Sequence, residues 1–230
     1  MTRPGPNIGR LKGTLKAVLV NLKGVMLSRI WSAAIVGIDA IKVGVEVDLS
    51  GGLPTMVVVG LPDAAVQESR ERTRAALKNS GFPFPMRKIV INLTPADLRK
   101  EGPSFDLPIS MGVLAATEQI KPDLLDDFLF MGELSLDGTL RPVAGVLAIA
   151  AAAKSLGLKG LVVPADNARE AAVVPGLAVY GFKRLSDIVD FLNHPAQHLP
   201  YQLNGQAELA KANANPMDLR DVKGQAQARR

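Results

Sequence analysis

The chain has 230 residues, of which 47% are hydrophobic, enough to bury the core of one ordinary domain plus terminal extensions. It has no cysteine, which excludes disulfide frameworks and thiolate metal sites, and its two histidines, His194 and His198, share one Pro-flanked segment, so no metal site is expected. No apolar run reaches the roughly 18 residues of a membrane-spanning helix. A cytoplasmic protein without membrane contact is expected.

Basic residues are concentrated at the two ends of the chain. Residues 1–29 carry six lysines and arginines and no acid, and residues 201–230 carry five basic and three acidic residues. Since the whole chain has a net charge of +5, the central body is left with −3. The pI of about 9.6 therefore does not by itself predict a nucleic-acid-binding face on the folded body.

Residues 1–26 mix Pro, Gly and Lys without a clear period and are interpreted as a non-structural extension, with Met1 or Met26 as the true start. A targeting peptide is the alternative, but the apolar stretch at 17–22 is short and no small-residue cleavage pattern follows it. From residue 29 onward, period-two alternation predicts three strands, at 30–36, 43–49 and 55–59.

A helix is predicted after the third strand. Asp63 suits its N-cap, and Gly81 suits its end after Ser80. Within it, Glu68 and Arg72 are four residues apart and are expected to pair.

Arg70 and Arg74 share one face of this helix. That face is either a solvated surface or a contact with DNA phosphate or another subunit.

The remaining body alternates strands and helices, which predicts one α/β (α+β) domain over residues 27–195, with loosely ordered or disordered tails. Strands are predicted at 87–93, 161–163 and 178–182, and helices at 106–119, 146–155, 167–172 and 186–192, the last capped by Ser186. Residues 130–143 are predicted to form a hairpin around the favoured turn dipeptide Asp137-Gly138. Residues 196–216 are interpreted as a linker.

Five segments carry a family resemblance: 60–63 (GLPD), 68–72 (ESRER), 92–97 (NLTPAD), 102–108 (GPSFDLP) and 132–138 (GELSLDG). In this order they resemble the N-terminal domain of the ComM/YifB group of magnesium-chelatase-like AAA+ proteins. The resemblance implies a mixed, Lon-protease-like sheet packed with helices. It also implies that residues 217–230 begin an AAA+ module that is missing beyond them.

The resemblance further implies a role in an ATP-driven DNA motor of natural transformation and recombination, which drives branch migration. Its implied partners are the AAA+ module, further copies in a homo-oligomeric ring, and DNA. ATP and Mg²⁺ belong to the missing module, because the chain contains no G-x-x-x-x-G-K-[ST] loop to hold the phosphates. No cofactor, and no ATPase activity, is expected of these 230 residues.

The resemblance places Ser104 where Lon-type peptidases have their nucleophile. A serine hydroxyl needs a base within roughly 3 Å to take its proton, and the resemblance places Leu147 where that family has its lysine. Lys154 is seven residues further on, roughly 10 Å along a helix. Lys100 is expected to be solvated. Ser104 is therefore interpreted as a vestigial candidate with a turn or cap role, and Asp106 as a carboxylate at a helix start.

Two alternatives remain at this point. One is a DNA-binding accessory protein that uses its basic ends. The other is a Lon-type peptidase with Ser104 as its nucleophile, which lacks an evident base. Apart from Ser104, no catalytic, cofactor-binding or metal-binding residue is predicted.

Overall fold

A long antiparallel hairpin organises the fold of this computed structural model, which describes residues 18–20 and 26–203. Strand β2 (Met26–Val36) pairs with β3 (Asp39–Ser50) along its whole length, from Met26 opposite Leu49 to Val36 opposite Asp39. Alternating buried valines along β3 explain this pairing, because one face of the strand lies on the core. The strands predicted at 30–36 and 43–49 are confirmed.

The other elements complete a mixed sheet with helices on both faces. The remaining strands are β1 (Val18–Val20), β4 (Thr55–Val59), β5 (Lys88–Thr94), β6 (Phe128–Phe130), β7 (Glu133–Leu134), β8 (Leu140–Arg141), β9 (Gly160–Pro164) and β10 (Ala178–Phe182). The helices are α1 (Ala64–Asn79), α2 (Asp106–Ala116), α3 (Val146–Ser155), α4 (Ala168–Ala171) and α5 (Leu185–Asn193). Single 3₁₀ turns lie at Pro103–Phe105, Ala165–Asn167 and Pro195–Gln197.

The main sheet has the order β10-β9-β6-β2-β3-β5-β4, with β1 paired to β2. Pairs β2–β3, β3–β5 and β1–β2 are antiparallel, and the others are parallel. The α/β fold expected from the sequence is confirmed. The extension 1–26 is not wholly non-structural, since Val18–Val20 adds a strand to β2.

Two apolar clusters lie on opposite faces of the sheet. Helices α1, α2 and α5 cover one face, and α3 and α4 cover the other. Gly112 lets α2 approach β3 closely, because a Cβ at this position would lie 2.5 Å from Cγ2 of Val47. Within the described residues, no helix combines the length and apolarity needed to cross a bilayer.

Two predicted elements are wrong in detail. The hairpin expected over 130–143 shrinks to β7 and β8, because Phe128–Phe130 is a buried parallel strand between β2 and β9. The last helix begins at Leu185 rather than after Ser186, and it has no side-chain cap.

The predicted AAA+ start at 217–230 lies outside the described residues. So do most of the linker 196–216 and most of the extension 1–26.

Candidate functional site

Ser104 lies in the 3₁₀ turn Pro103–Phe105, which leads directly into α2. It is half-buried on the wall of a cleft of about 450 Å³, which we call the serine cleft. The cleft is lined mostly by apolar residues, among them Ala33, Ile35, Val143 and Ile149, and also by the carboxylates of Glu101 and Glu133, neither of which is hydrogen-bonded to the Ser104 hydroxyl. The sequence motif is thus placed beside a concave surface.

The Ser104 hydroxyl has no hydrogen-bond partner within residues 26–203. The N-cap position of α2 is Phe105, and no side chain caps either the 3₁₀ turn or the helix. Of the two roles predicted for Ser104, the helix cap is wrong, whereas its place in a turn is confirmed. Only its backbone is engaged, since Gly132 N donates to Ser104 O at 3.0 Å and so joins the turn to the segment before β7.

Leu147 lies in the first turn of α3, where it is 46% exposed. Its backbone N–H donates to Glu170 Oε1 at 3.0 Å, and its side chain has no proton acceptor. Lys154 lies in the last turn of the same helix, exposed and close to Gly176. Neither residue supplies Ser104 with a base.

Lys100 was expected to be solvated, and the structure shows the opposite. The residue is completely buried, and its ammonium group donates to Gly60 O at 3.0 Å and to Pro95 O. Burial lowers the pKa of Lys100 below its ordinary value of 10.5. A side chain at Gly60 has no space, because its Cβ would lie 2.2 Å from Leu93 O.

The backbone of Lys100 also joins its own loop, which precedes Ser104, to the loop at residues 60–63, which precedes α1. Lys100 N donates to Leu61 O at 3.1 Å, and Asp63 N donates to Lys100 O at 2.9 Å. Asp63 also caps α1 as predicted, accepting from Val66 N at 2.8 Å, while its second oxygen accepts from Gly102 N at 3.1 Å. The loop before Ser104 is thus pinned to the loop before α1.

Asp106 is a buried hub, which is more than a helix-start carboxylate. Its carboxylate accepts from Arg72 Nε at 2.6 Å and Arg72 Nη2 at 3.1 Å, from the Ser69 hydroxyl, and from Leu134 N at 3.1 Å. The hydrogen bond to Asp106 raises the pKa of Arg72. The predicted Glu68–Arg72 pair is confirmed at 3.4 Å, but Glu68 is the exposed partner.

Arg70 and Arg74 point away from this hub, into a second cleft of about 130 Å³. Arg87 and Phe84, which precede β5, line the same cleft. Sequence reasoning missed both, although the run FPFPMRK at residues 82–88 combines aromatic and basic residues. We call the group of Arg70, Arg74, Arg87 and Phe84 the arginine cleft.

His194 and His198 both contact the carboxylate of Asp190. His194 Nδ1 lies 3.0 Å from Asp190 Oδ1, and His198 Nε2 lies 2.9 Å from Asp190 Oδ2. These hydrogen bonds lower the pKa of Asp190. Despite this contact, no group of three or more His, Asp or Glu side chains within residues 26–203 is arranged to hold a metal ion. The first residues of the predicted linker therefore pack back onto the domain.

Comparison with known proteins gives a consistent match. The family model for subunit ChlI of Mg-chelatase matches residues 45–167. Competence protein ComM of Haemophilus influenzae is 41% identical over 206 residues, 89% of this chain and 40% of ComM. The protein YifB of Escherichia coli is 39% identical over 204 residues, 89% of this chain and 39% of YifB.

A weaker similarity extends to a peptidase. Lon protease 2 of Bacillus subtilis is 26% identical over 138 residues, 59% of this chain and 24% of that protein. The chain spans about 40% of the length of the ComM and YifB relatives it matches.

Proposed function

We propose a non-catalytic role in a larger DNA motor for this chain, which belongs to the ChlI family of Mg-chelatase subunits and is similar to ComM and YifB over most of its length. In this role the domain retains a Lon-like architecture without peptidase chemistry. It serves an ATP-driven assembly that moves branch points in DNA. ATP and Mg²⁺ bind the AAA+ module of that assembly.

The observation that carries the non-catalytic part is the isolation of the Ser104 hydroxyl. Within residues 26–203, no side chain is hydrogen-bonded to it, and the buried ammonium nearest in sequence, that of Lys100, is bound to two backbone carbonyls. A serine without a base stays protonated and is a weak nucleophile. A leucine at position 147 cannot remove this limitation.

The motor part is supported by the match to ComM, whose name describes a competence protein. The described domain offers structural rigidity for such a role: the loop before Ser104, α1, α2 and β7 are tied together by Lys100, Asp63 and Asp106. A domain of this kind positions neighbouring modules instead of turning over a substrate. Homo-oligomeric ring assembly belongs to the same proposal.

The non-catalytic part is tested by labelling the full chain with a fluorophosphonate probe. We expect no labelling above that of Ser104→Ala, while Lon protease 2 of B. subtilis serves as the positive control. Labelling that disappears in Ser104→Ala would show a reactive serine and overturn this part.

The motor part needs the longer protein. This chain replaces the matching segment of H. influenzae ComM, and ATP-dependent branch migration of a DNA four-way junction is measured. We expect the chimaera to be active and Ser104→Ala to leave its rate unchanged. A folded, ATP-hydrolysing chimaera that moves no branch point contradicts the proposal.

A further inference from the structure

The arginine cleft brings together cations from two separate parts of the chain. Arg70 and Arg74 lie one turn apart on α1, and Arg87 directly precedes β5. All three line one concavity of about 130 Å³ beside Phe84. Lys88, the first residue of β5, is exposed next to Arg87 and adds a fourth cation to this end of the sheet.

These cations are not neutralised. No carboxylate of residues 26–203 lies within 4.0 Å of the guanidinium groups of Arg70, Arg74 or Arg87. Glu71 is the one acid among the lining residues of the cleft, and it is exposed. The central body carries a net negative charge, whereas the arginine cleft is locally positive. A cluster of unpaired guanidinium groups attracts a polyanion.

Two of the guanidinium groups are held in place by contacts that leave donors free. Arg70 donates from Nε to Gln67 O at 2.9 Å and from Nη1 to Met56 O at 3.4 Å, which uses two of its five N–H groups. Arg74 lies over the Phe84 ring, 5.6 Å from its centroid. Preorganised planar forks of this kind match the geometry of phosphate oxygens.

The rim of the cleft is apolar. Met86 is 69% exposed, and Pro54, Pro85 and the half-buried Phe84 ring line the concavity. Cationic groups beside an aromatic ring are the pattern with which proteins hold single strands, phosphates on the cations and bases against the ring. A run of Asp and Glu offers carboxylates to the arginines but has no ring to place against this rim.

We propose that the arginine cleft binds the phosphodiester backbone of nucleic acid without sequence preference, single strands more tightly than duplex. This rests on the proposed function only in that a DNA motor supplies the ligand. It makes Arg70, Arg74 and Arg87 the DNA-contacting residues of the domain, in place of the basic ends of the chain.

The test compares two full-length variants that each lose three positive charges. One is Arg70→Ala/Arg74→Ala/Arg87→Ala, and the matched control is Arg3→Ala/Arg10→Ala/Lys12→Ala. Fluorescence anisotropy with a fluorescein-labelled single strand and its duplex is measured across a salt series. We expect the cleft variant to lose about tenfold or more in affinity, with a salt slope shallower by about 2 for a single strand. The control is expected to change less than threefold.

Each other result overturns the proposal in a distinct way. Loss of affinity in the control alone assigns binding to the N-terminal region. Displacement of the single strand by polyglutamate at equal charge concentration assigns the cleft to acidic polypeptides. No binding by the wild-type chain removes the site, and leaves the labelling result at Ser104 untouched.

One further variant separates stacking from charge. Phe84→Leu keeps an apolar side chain under Arg74 and is checked for unchanged thermal unfolding. We expect it to weaken single-strand binding about tenfold, in keeping with the loss of one base–aromatic contact, and to weaken duplex binding less. Equal effects on both ligands would contradict the role of the ring.

Discussion

Helix α1 carries arginines in two different environments. Arg72 faces inward and gives two hydrogen bonds to the completely buried Asp106, and its side chain is 20% exposed. Arg70 and Arg74, two residues to either side, face the arginine cleft and find no carboxylate within the described part of the chain. Arginines within about one and a half turns of the same helix therefore serve two purposes: one stabilises the fold, and the others present positive charge to solvent.

Substitution of Asp106, the inward-facing partner of Arg72, should destabilise the protein most. Asp106→Ala removes the buried carboxylate that accepts from Arg72, the Ser69 hydroxyl and Leu134 N. Because Arg72 retains some solvent contact, we expect a loss near the lower end for broken buried pairs, about 3 kcal/mol in the free energy of unfolding by urea. The control Glu68→Ala removes the exposed partner of Arg72 and should change it by about 0.5 kcal/mol or less. Similar small effects for both would show that Asp106 is not the hub.

A second prediction concerns Lys100, another inward-facing cation. Lys100→Met removes the donor to Gly60 O and Pro95 O, and we expect a loss of about 1–3 kcal/mol for the unsatisfied carbonyls. Arg99→Ala, whose side chain is 71% exposed, is the control and should stay within about 0.5 kcal/mol of the wild type. A Lys100→Met protein as stable as the wild type would mean that these hydrogen bonds do not matter.

The difference in unfolding free energy between the wild type and Lys100→Met should depend on pH, because the pKa of Lys100 is lowered in the folded protein. Its folded pKa lies below the ordinary 10.5, so between the two values the unfolded chain binds more protons. The wild type should therefore gain stability relative to Lys100→Met as pH rises through that window, and not below it. Urea unfolding at neutral and alkaline pH checks this, and a falling difference would contradict it.

Local pattern predicted the elements but not these inward contacts. Strands with period-two alternation and the Asp63 cap were evident because they depend on neighbours within a few residues. Lys100 lies in the charged run Arg99-Lys100-Glu101, which is typical of a solvated loop, and its burial results from a loop some forty residues earlier. The Asp106–Arg72 contact likewise joins residues 34 positions apart. Long-range packing of this kind leaves no local signal.

The candidate sites divide in the same way. The position of Ser104 before a helix and the lack of an acceptor at Leu147 followed from the motif register. The arginine cleft did not, because Arg87 joins Arg70 and Arg74 only through the parallel pairing of β4 with β5 and the packing of α1 against β4.

A third, smaller prediction uses an exposed charged group for contrast. Asp190 is held by His194 and His198, and the chain continues to Tyr201, whose N–H donates to Val179 O at 2.6 Å. His198→Ala should speed amide hydrogen exchange at Tyr201 several-fold without changing global unfolding, because the change opens only this segment. Leu199→Ala, at an 87% exposed position, should leave that exchange unchanged.

The pH sign at Asp190 is opposite to that at Lys100. Hydrogen bonds lower the pKa of Asp190 from 3.8, so its contribution is present above that value and is lost as pH falls through the folded pKa. The protection factor at Tyr201, which is the observed exchange rate corrected for the slower intrinsic exchange in acid, should then fall in acid in the wild type and fall less in His198→Ala. An equal fall of the protection factor in both proteins would remove the histidine contact from the explanation.

Substitution of an outward-facing arginine of α1 should change the free energy of unfolding least. Arg74→Ala removes an exposed guanidinium that has an aromatic ring beneath it but no carboxylate, so we expect a change within about 0.5 kcal/mol in urea unfolding. Its matched partner is Arg72→Ala, which leaves the buried Asp106 carboxylate without its counter-ion and should lose several times as much stability. If Arg74→Ala were as destabilising as Arg72→Ala, Arg74 would stabilise the fold and would not be free to serve a ligand. A charge that the fold does not need, held in place beside two others, is then best explained by a ligand outside the chain.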